Sequence, residues 1–256
     1  MTMLKRLFDF YLNASLHIGL AILALTNITE IILKIPSQIN LNIVVFFAAV
    51  VGYNVLKYVD VFTRNRQWMY RNPMIIIVSV SSFLVACFYF FKLETVTQLA
   101  FIGIGVIICF YPFLRKYGLL KMFLVSFCIA VITVGIPALM TTPVTIDCYL
   151  TLVQRFLIVV SLLIPFEIYD SKTDDPMLRT LPQQFGIHPT KIFGMLLVIP
   201  FLLLEFFKTN PSYSVLLVSI ITVLFIHFSS VRKSKYYTSF WVESVPIFWW
   251  LLLSMI

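Results

Sequence analysis

Glu167, Asp170, Asp174 and Asp175 place four of the chain's 11 acidic residues within nine positions, directly after an apolar run. Carboxylates at the end of a membrane segment are costly to place, and their usual task is to hold a divalent cation. Glu167, Asp170 and Asp174 stand at i, i+3 and i+7, which predicts one shared face on a helix that runs through Asp174. A second polar group precedes them. Asn54, Lys57 and Arg64 share a helical face at i, i+3 and i+10, a pattern that presents amide and cationic donors to an anion.

The elements that carry these groups follow from composition. Hydrophobic residues make up 61% of the 256 residues, charged residues only 12%, and the mean hydropathy is +0.98. A soluble domain carries about twice that share of charge, so the expected fold is an all-α polytopic membrane protein forming one transmembrane domain over 1–256. A span needs about 20 residues. Nine candidates fit, over 14–34, 41–63, 74–92, 95–113, 118–140, 146–169, 189–208, 212–231 and 238–256. Pro and Gly fall mostly between them, and Pro165, inside the sixth, is a candidate kink. The leader before the first span has no small-residue cleavage signal and reads as a retained cytoplasmic start.

Charge placement gives a direction. When loops are assigned to alternate sides, one side receives most of the 19 Lys and Arg, including Lys5, Arg6, Lys57, Arg64, Arg115, Lys121, Lys172 and Arg232. The positive-inside bias then puts the N-terminus in the cytoplasm, the C-terminus outside and the acidic cluster on the cytoplasmic face. The formal charge of +8 is largely accounted for by this topology and by anionic lipid, not by nucleic acid. The expected location is the cell inner membrane.

Other residues carry less chemistry. Cys87, Cys109, Cys128 and Cys148 show no metal-ligand spacing and read as packing residues. His17 reads as a hydrogen-bonded core histidine, with a polar cavity as the alternative. Arg155 lies inside a span, where Glu30 and Glu205 are candidate partners. The chain has no Gly-rich nucleotide loop, nucleophile elbow or zinc-binding His pair, which leaves nucleotide hydrolysis, acyl transfer and zinc chemistry without support.

Nine helices with a polar motif ending the second, an acidic motif ending the sixth and a basic cytoplasmic loop after each resemble the UbiA superfamily of intramembrane prenyltransferases. The specific part is Pro165-Phe166-Glu167-Ile168-Tyr169-Asp170-Ser171-Lys172-Thr173-Asp174-Asp175, followed by Arg179-Thr180-Leu181-Pro182. The resemblance implies a UbiA-like bundle and transfer of an isoprenyl group (an alkyl group other than methyl) from its diphosphate to an aromatic or other lipophilic acceptor. Mg²⁺ is the implied cofactor, with Glu167, Asp170 and Asp174 as metal ligands. Asn54, Lys57, Arg64 and Lys172 would bind the diphosphate, and Lys57 and Asp170 would be catalytic.

This chain departs from the family at the first motif. Counting from Asn54, positions that the family fills with aspartate hold Val55, Tyr58 and Phe62. Either Lys57 and Arg64 take over part of the work of a second Mg²⁺, or the protein keeps the chamber and has lost transfer. In the second case it binds an isoprenoid without turnover or serves as a subunit of a membrane complex. A transporter is a third reading, but it requires polar groups near the midplane, whereas these gather at helix ends.

Overall fold

The computed structural model describes residues 3–64, 72–111, 118–140, 144–173 and 178–255, without the side chains of 59–64. The described elements are helical throughout. They are α1 (Met3–Asn13), α2 (Leu16–Ile32), α3 (Ile39–Arg64), α4 (Pro73–Phe90), α5 (Thr95–Cys109), α6 (Gly118–Ala130), α7 (Ile146–Asp170), α8 (Leu181–Phe185), α9 (Ile187–Leu203), α10 (Ser214–Phe228) and α11 (Val245–Ser254). Every expected span coincides with a helical segment. By length and hydropathy alone, five described segments suffice to cross a membrane: Ile39–Tyr58, Pro73–Phe90, Gly118–Ala138, Ile146–Asp170 and Ile187–Phe207. The bent pair α1 and α2 makes a sixth if it counts as one span, and α5 and α10 are apolar but shorter. The chain is thus an α-helical integral membrane protein.

α7 is the central post, because Ile158, Ile164 and Ile168 are all but sealed from solvent and it packs against α6, α9 and α10. Pro165 does not end it, and the helix continues to Asp170. Small residues let neighbours close in, as is usual where helices meet without a hydrophobic driving force between them. A Cβ on Gly194 of α9 would lie 2.8 Å from Ile164 Cγ1, and one on Gly19 of α2 would lie 2.7 Å from Val50 Cγ2 of α3.

The start of the chain is more structured than a simple leader. α1 is a separate amphipathic helix set at 56° to α2, with Met3, Leu4 and Leu7 exposed. Such a face suits the headgroup boundary of a bilayer. Its other side packs Phe8 on Phe240 at 5.0 Å and on Tyr236 at 5.6 Å. The break falls at Ser15, whose φ of 59° is left-handed and costly for a residue with a Cβ. α3 stabilises it by hydrogen bonds: Ser15 Oγ donates to Asn54 Oδ1 at 2.6 Å, Asn54 Nδ2 donates to Ala14 O at 3.1 Å, and Tyr58 Oη donates to Asn13 O at 2.7 Å.

Two π-helical segments interrupt regular winding, Val131–Gly135 after α6 and Tyr237–Val242 before α11. Wide turns of this kind re-aim side chains and recur at functional sites. Both border the same cavity.

Candidate functional site: an apolar chamber with a polar end

A cavity of about 300 Å³ lies between α2, α3, α5, α6, α7 and the start of α11. Leu25 and Val159 line one end; Tyr53, Phe166 and Glu243 line the other. Ile132 of the first π-helical segment and Val242 of the second border it as well. Its volume is at the lower edge of the roughly 300–1,000 Å³ typical of small-molecule sites.

Polar groups converge on the Tyr53 end. Tyr53, Tyr111 and Glu243 line this end, Lys57 lies one helical turn beyond Tyr53 on α3, and Asp170 lies one turn beyond Phe166 on α7. These residues come from α3, the end of α7, two residues past the end of α5, and the turn before α11. Among the described residues no hydrogen bond reaches the Glu243 carboxylate or the Tyr53 hydroxyl, and Lys57 makes no ion pair within 4 Å. Tyr53 and Lys57 are exposed here and Glu243 is half-buried, so this end of the apolar cavity is open to an incoming polar group.

The expected site residues divide into three groups. Lys57 and Asp170 each lie one helical turn beyond a residue of the chamber's polar end, Tyr53 and Phe166 respectively, without lining it. Glu167, by contrast, turns to α6, where its Oε1 is 2.9 Å from Lys121 Nζ. Asn54 is buried and its amide holds the α1/α2 break, with a further bond from Nδ2 to Ser79 Oγ at 2.9 Å. Lys172 is exposed in the turn after α7. Arg64 is the last residue of α3, but its side chain lies outside the described residues, as does Asp174 altogether. The helix on which Glu167, Asp170 and Asp174 were aligned stops at Asp170, where the Thr173 N–H donates to the Asp170 carbonyl at 2.8 Å and closes a turn. Backbone winding therefore carries the shared face through Asp170 only.

Glu243 and Tyr53 went unassigned in the sequence. Glu243 nevertheless had a signal: it is an acidic residue inside the ninth apolar segment, among Trp241, Val242 and Pro246, where a charge is functional by default. Tyr53 had none beyond its place beside Asn54. His17 matches its core reading, since the Tyr11 hydroxyl donates to Nδ1 at 2.8 Å while Nε2 donates to the Phe240 carbonyl at 3.0 Å.

Arg155 departs from its candidate partners. Its Nη2 donates to Thr29 Oγ1 at 3.0 Å and its guanidinium lies 5.4 Å from the Trp249 ring centroid, one helical turn beyond the Leu25 and Val159 end of the chamber. Glu205 is already committed to Lys208 Nζ at 2.9 Å, Gln154 Nε2 at 2.9 Å and the Ser212 N–H at 2.7 Å. Glu30 accepts from Asn42 at 3.2 Å. Nε and Nη1 of Arg155 lack a hydrogen-bond partner among the described residues.

The segment expected to follow the acidic motif packs across the bundle. Thr180 is buried, its N–H donates to Gln183 Oε1 at 2.9 Å, and it caps α8. Arg179 and Thr180 press so closely on Gly118 that a Cβ there would lie 2.5 Å from the Arg179 carbonyl oxygen. Compared with known proteins, the chain matches no family model, no curated protein and no solved structure.

Proposed function

We propose that this chain is an intramembrane prenyltransferase of the UbiA kind, crossing the bilayer nine times with its N-terminus and the polar end of its chamber on the cytoplasmic side of the inner membrane. The observation that carries the reading is an apolar cavity with Tyr53 and Glu243 on the wall of one end, where Lys57 follows Tyr53 by one helical turn on α3 and Asp170 follows Phe166 by one turn on α7. An isoprenyl diphosphate has the matching form, an apolar tail with a compact anionic head.

The tail lies along Leu25, Val159 and Phe166, where water is excluded. Lys57 contributes a charge-assisted donor to the diphosphate, and Lys172 and Arg64 supply further positive charge at the surface. Transfer breaks the bond between the allylic C1 and oxygen, with the electron pair leaving on the diphosphate, while a nucleophilic carbon of the acceptor bonds to C1 and then loses a proton. The carboxylates at the end of α7 are hard oxygen donors of the type Mg²⁺ takes, so Asp170 and Asp174 would hold it, joined by Glu167 if Lys121 gives way. Bound there, Mg²⁺ would offset the charge that grows on the leaving group.

The ion pair of Lys121 with Glu167 favours a second reading, in which the chamber holds an isoprenoid without transferring it, alone or within a membrane complex. Turnover separates the two. Purified protein in lipid, given an isoprenyl diphosphate and a lipophilic aromatic acceptor, consumes the diphosphate only with Mg²⁺, and Asp170→Asn or Asp174→Asn reduces the rate at least about 100-fold. Consumption indifferent to both substitutions and to Mg²⁺ removes the metal role; binding without consumption leaves the second reading.

A further inference from the structure

Arg155 is 1% exposed, and Thr151, one turn before it on the same face of α7, is 3% exposed. Arg155 lies nine residues into α7, which starts at Ile146, and so about 14 Å along the helix from that end. A guanidinium keeps its charge in proteins and carries N–H donors on all its nitrogens. Here Nη2 has an acceptor, Thr29 Oγ1 at 3.0 Å. Nε and Nη1 of Arg155 and Oγ1 of Thr151 are buried and have no hydrogen-bond partner among the described residues. Side chains of a helix lean toward its N-terminus, so the turn that Arg155 covers is the one that carries Thr151. The charge is unanswered as well. Among the described residues Arg155 forms no ion pair; Glu205 is held by Lys208, Gln154 and Ser212, and Glu30 by Asn42 and the Gln38 N–H. The Trp249 ring, 5.4 Å from Cζ, offers a negative face but no counterion. A buried cation left in this state inside a bilayer is costly.

We infer that Arg155, together with the Thr151 hydroxyl, holds a compact monovalent anion of the halide type. A halide accepts hydrogen bonds from any direction, so it meets donors on two different turns, and its single charge balances that of the guanidinium. Water meets the donors but not the charge. Sulfate and phosphate bring a second negative charge that no free cation in this layer answers. The carboxylate of a chamber ligand is a poorer fit, because Arg155 is not on the chamber wall. That wall has Leu25, Val159 and Pro246, each one turn short of Thr29, Arg155 and Trp249, which meet in the layer beyond. The site is thus separate from the one assigned to the isoprenoid, and the inference does not depend on prenyl transfer.

Thermal unfolding of the full-length protein in nanodiscs tests this, with sodium gluconate replaced stepwise by sodium chloride, bromide or sulfate at constant ionic strength. The midpoint of the unaltered protein rises by about 2–4 °C in either halide and levels off, as a saturable ligand requires. Sulfate gives no such plateau. Arg155→Met shows no halide-dependent rise, and Thr151→Val keeps the rise but needs at least about threefold more chloride to reach half of it, the loss of one hydrogen bond. Equal midpoints in gluconate and chloride, the result that water alone gives, overturn the inference. So does a rise that persists in Arg155→Met, a half-saturating chloride unchanged in Thr151→Val, or a plateau in sulfate as high as in chloride. If Arg155→Met does not fold, the anomalous scattering of bromide in crystals of the unaltered protein decides: a peak within hydrogen-bonding distance of Arg155 Nε or Nη1 upholds the site, and none there overturns it. No diphosphate or Mg²⁺ takes part, so failure here leaves the prenyl-transfer reading standing, and loss of that reading leaves the anion site standing.

Discussion

Lys121 Nζ stands 2.9 Å from Glu167 Oε1, and this pair, well shielded on both sides, ties α6 to the last turn of α7. The same carboxylate is the first of the three expected to hold a metal, so whatever binds there competes with an ammonium group already in place. Removing the ammonium takes a 2.9 Å charge-assisted contact away from a shielded carboxylate. Lys121→Met therefore costs about 1–3 kcal/mol of stability, and adding Glu167→Gln recovers most of it. Thermal unfolding in detergent of the two single variants and the double variant measures the coupling. A double variant as unstable as the sum of the singles contradicts it.

The α1/α2 break depends on Asn54. Its amide takes part in three hydrogen bonds, to Ser15, Ala14 and Ser79, and Ser15 has a backbone conformation that needs support. Asn54→Leu removes them all from a buried site and destabilises the protein by about 2–4 kcal/mol, at roughly 1 kcal/mol for each bond plus the orphaned partners. Proteolysis between α1 and α2 quickens in the variant if the clamp holds as described. An unchanged cleavage rate refutes the clamp.

Thr29 supplies the acceptor for Arg155, whose other nitrogens lack one among the described residues. Thr29→Val keeps the shape and takes that acceptor away, at a cost of about 1–3 kcal/mol. Arg155→Met removes the buried charge together with its need for partners and is neutral or stabilising in the Thr29→Val background. Denaturant unfolding of the single and double variants tests both statements.

Docking of α1 depends on acid. Tyr236 Oη donates to Asp9 Oδ1 at 2.6 Å and Lys235 Nζ lies 3.5 Å from the same oxygen. The hydroxyl, followed by the ammonium group, holds the Asp9 carboxyl below its ordinary value of 3.8. A carboxylate depressed on folding contributes stability above its unfolded pKa, and that contribution is lost as pH falls through the folded value. Energy transfer between labels on α1 and on the 235–240 segment accordingly drops below about pH 4, and Asp9→Asn abolishes the pH dependence. A transition unaltered by that substitution assigns the effect to another group.

Much of the architecture can be read from the residue pattern because the bilayer imposes it. Apolar runs broken by Pro and Gly locate the helical segments, and each expected span coincides with one. Length is harder to read. α5 and α10 are shorter than the apolar runs that announce them, since a run shows where a helix is tolerated and not where its last hydrogen bond forms. The acidic residues at the end of α7 stood out in a chain so poor in acids, but their alignment assumed winding that stops at Asp170. Asn54 and Lys57 do share a face on an ideal helix. Their roles nevertheless part, because the left-handed turn at Ser15 claims one of them and no local pattern announces such a turn. Glu243 was legible as an acid in an apolar segment and was passed over for want of a neighbouring motif. Tyr53, which lines the same cavity, lies 190 positions away in the chain, a relationship that only the folded bundle supplies.

The central claim is that one apolar chamber receives an isoprenoid tail with its diphosphate at the end marked by Lys57, Asp170 and Glu243. A structure of the lipid-embedded protein with Mg²⁺ and an isoprenyl thiodiphosphate, which resists cleavage, tests this directly. The account predicts tail density along Leu25, Val159 and Phe166 and phosphate oxygens within hydrogen-bonding distance of Lys57. An empty chamber, with the diphosphate elsewhere and Lys57 turned to the lipid headgroups, contradicts it.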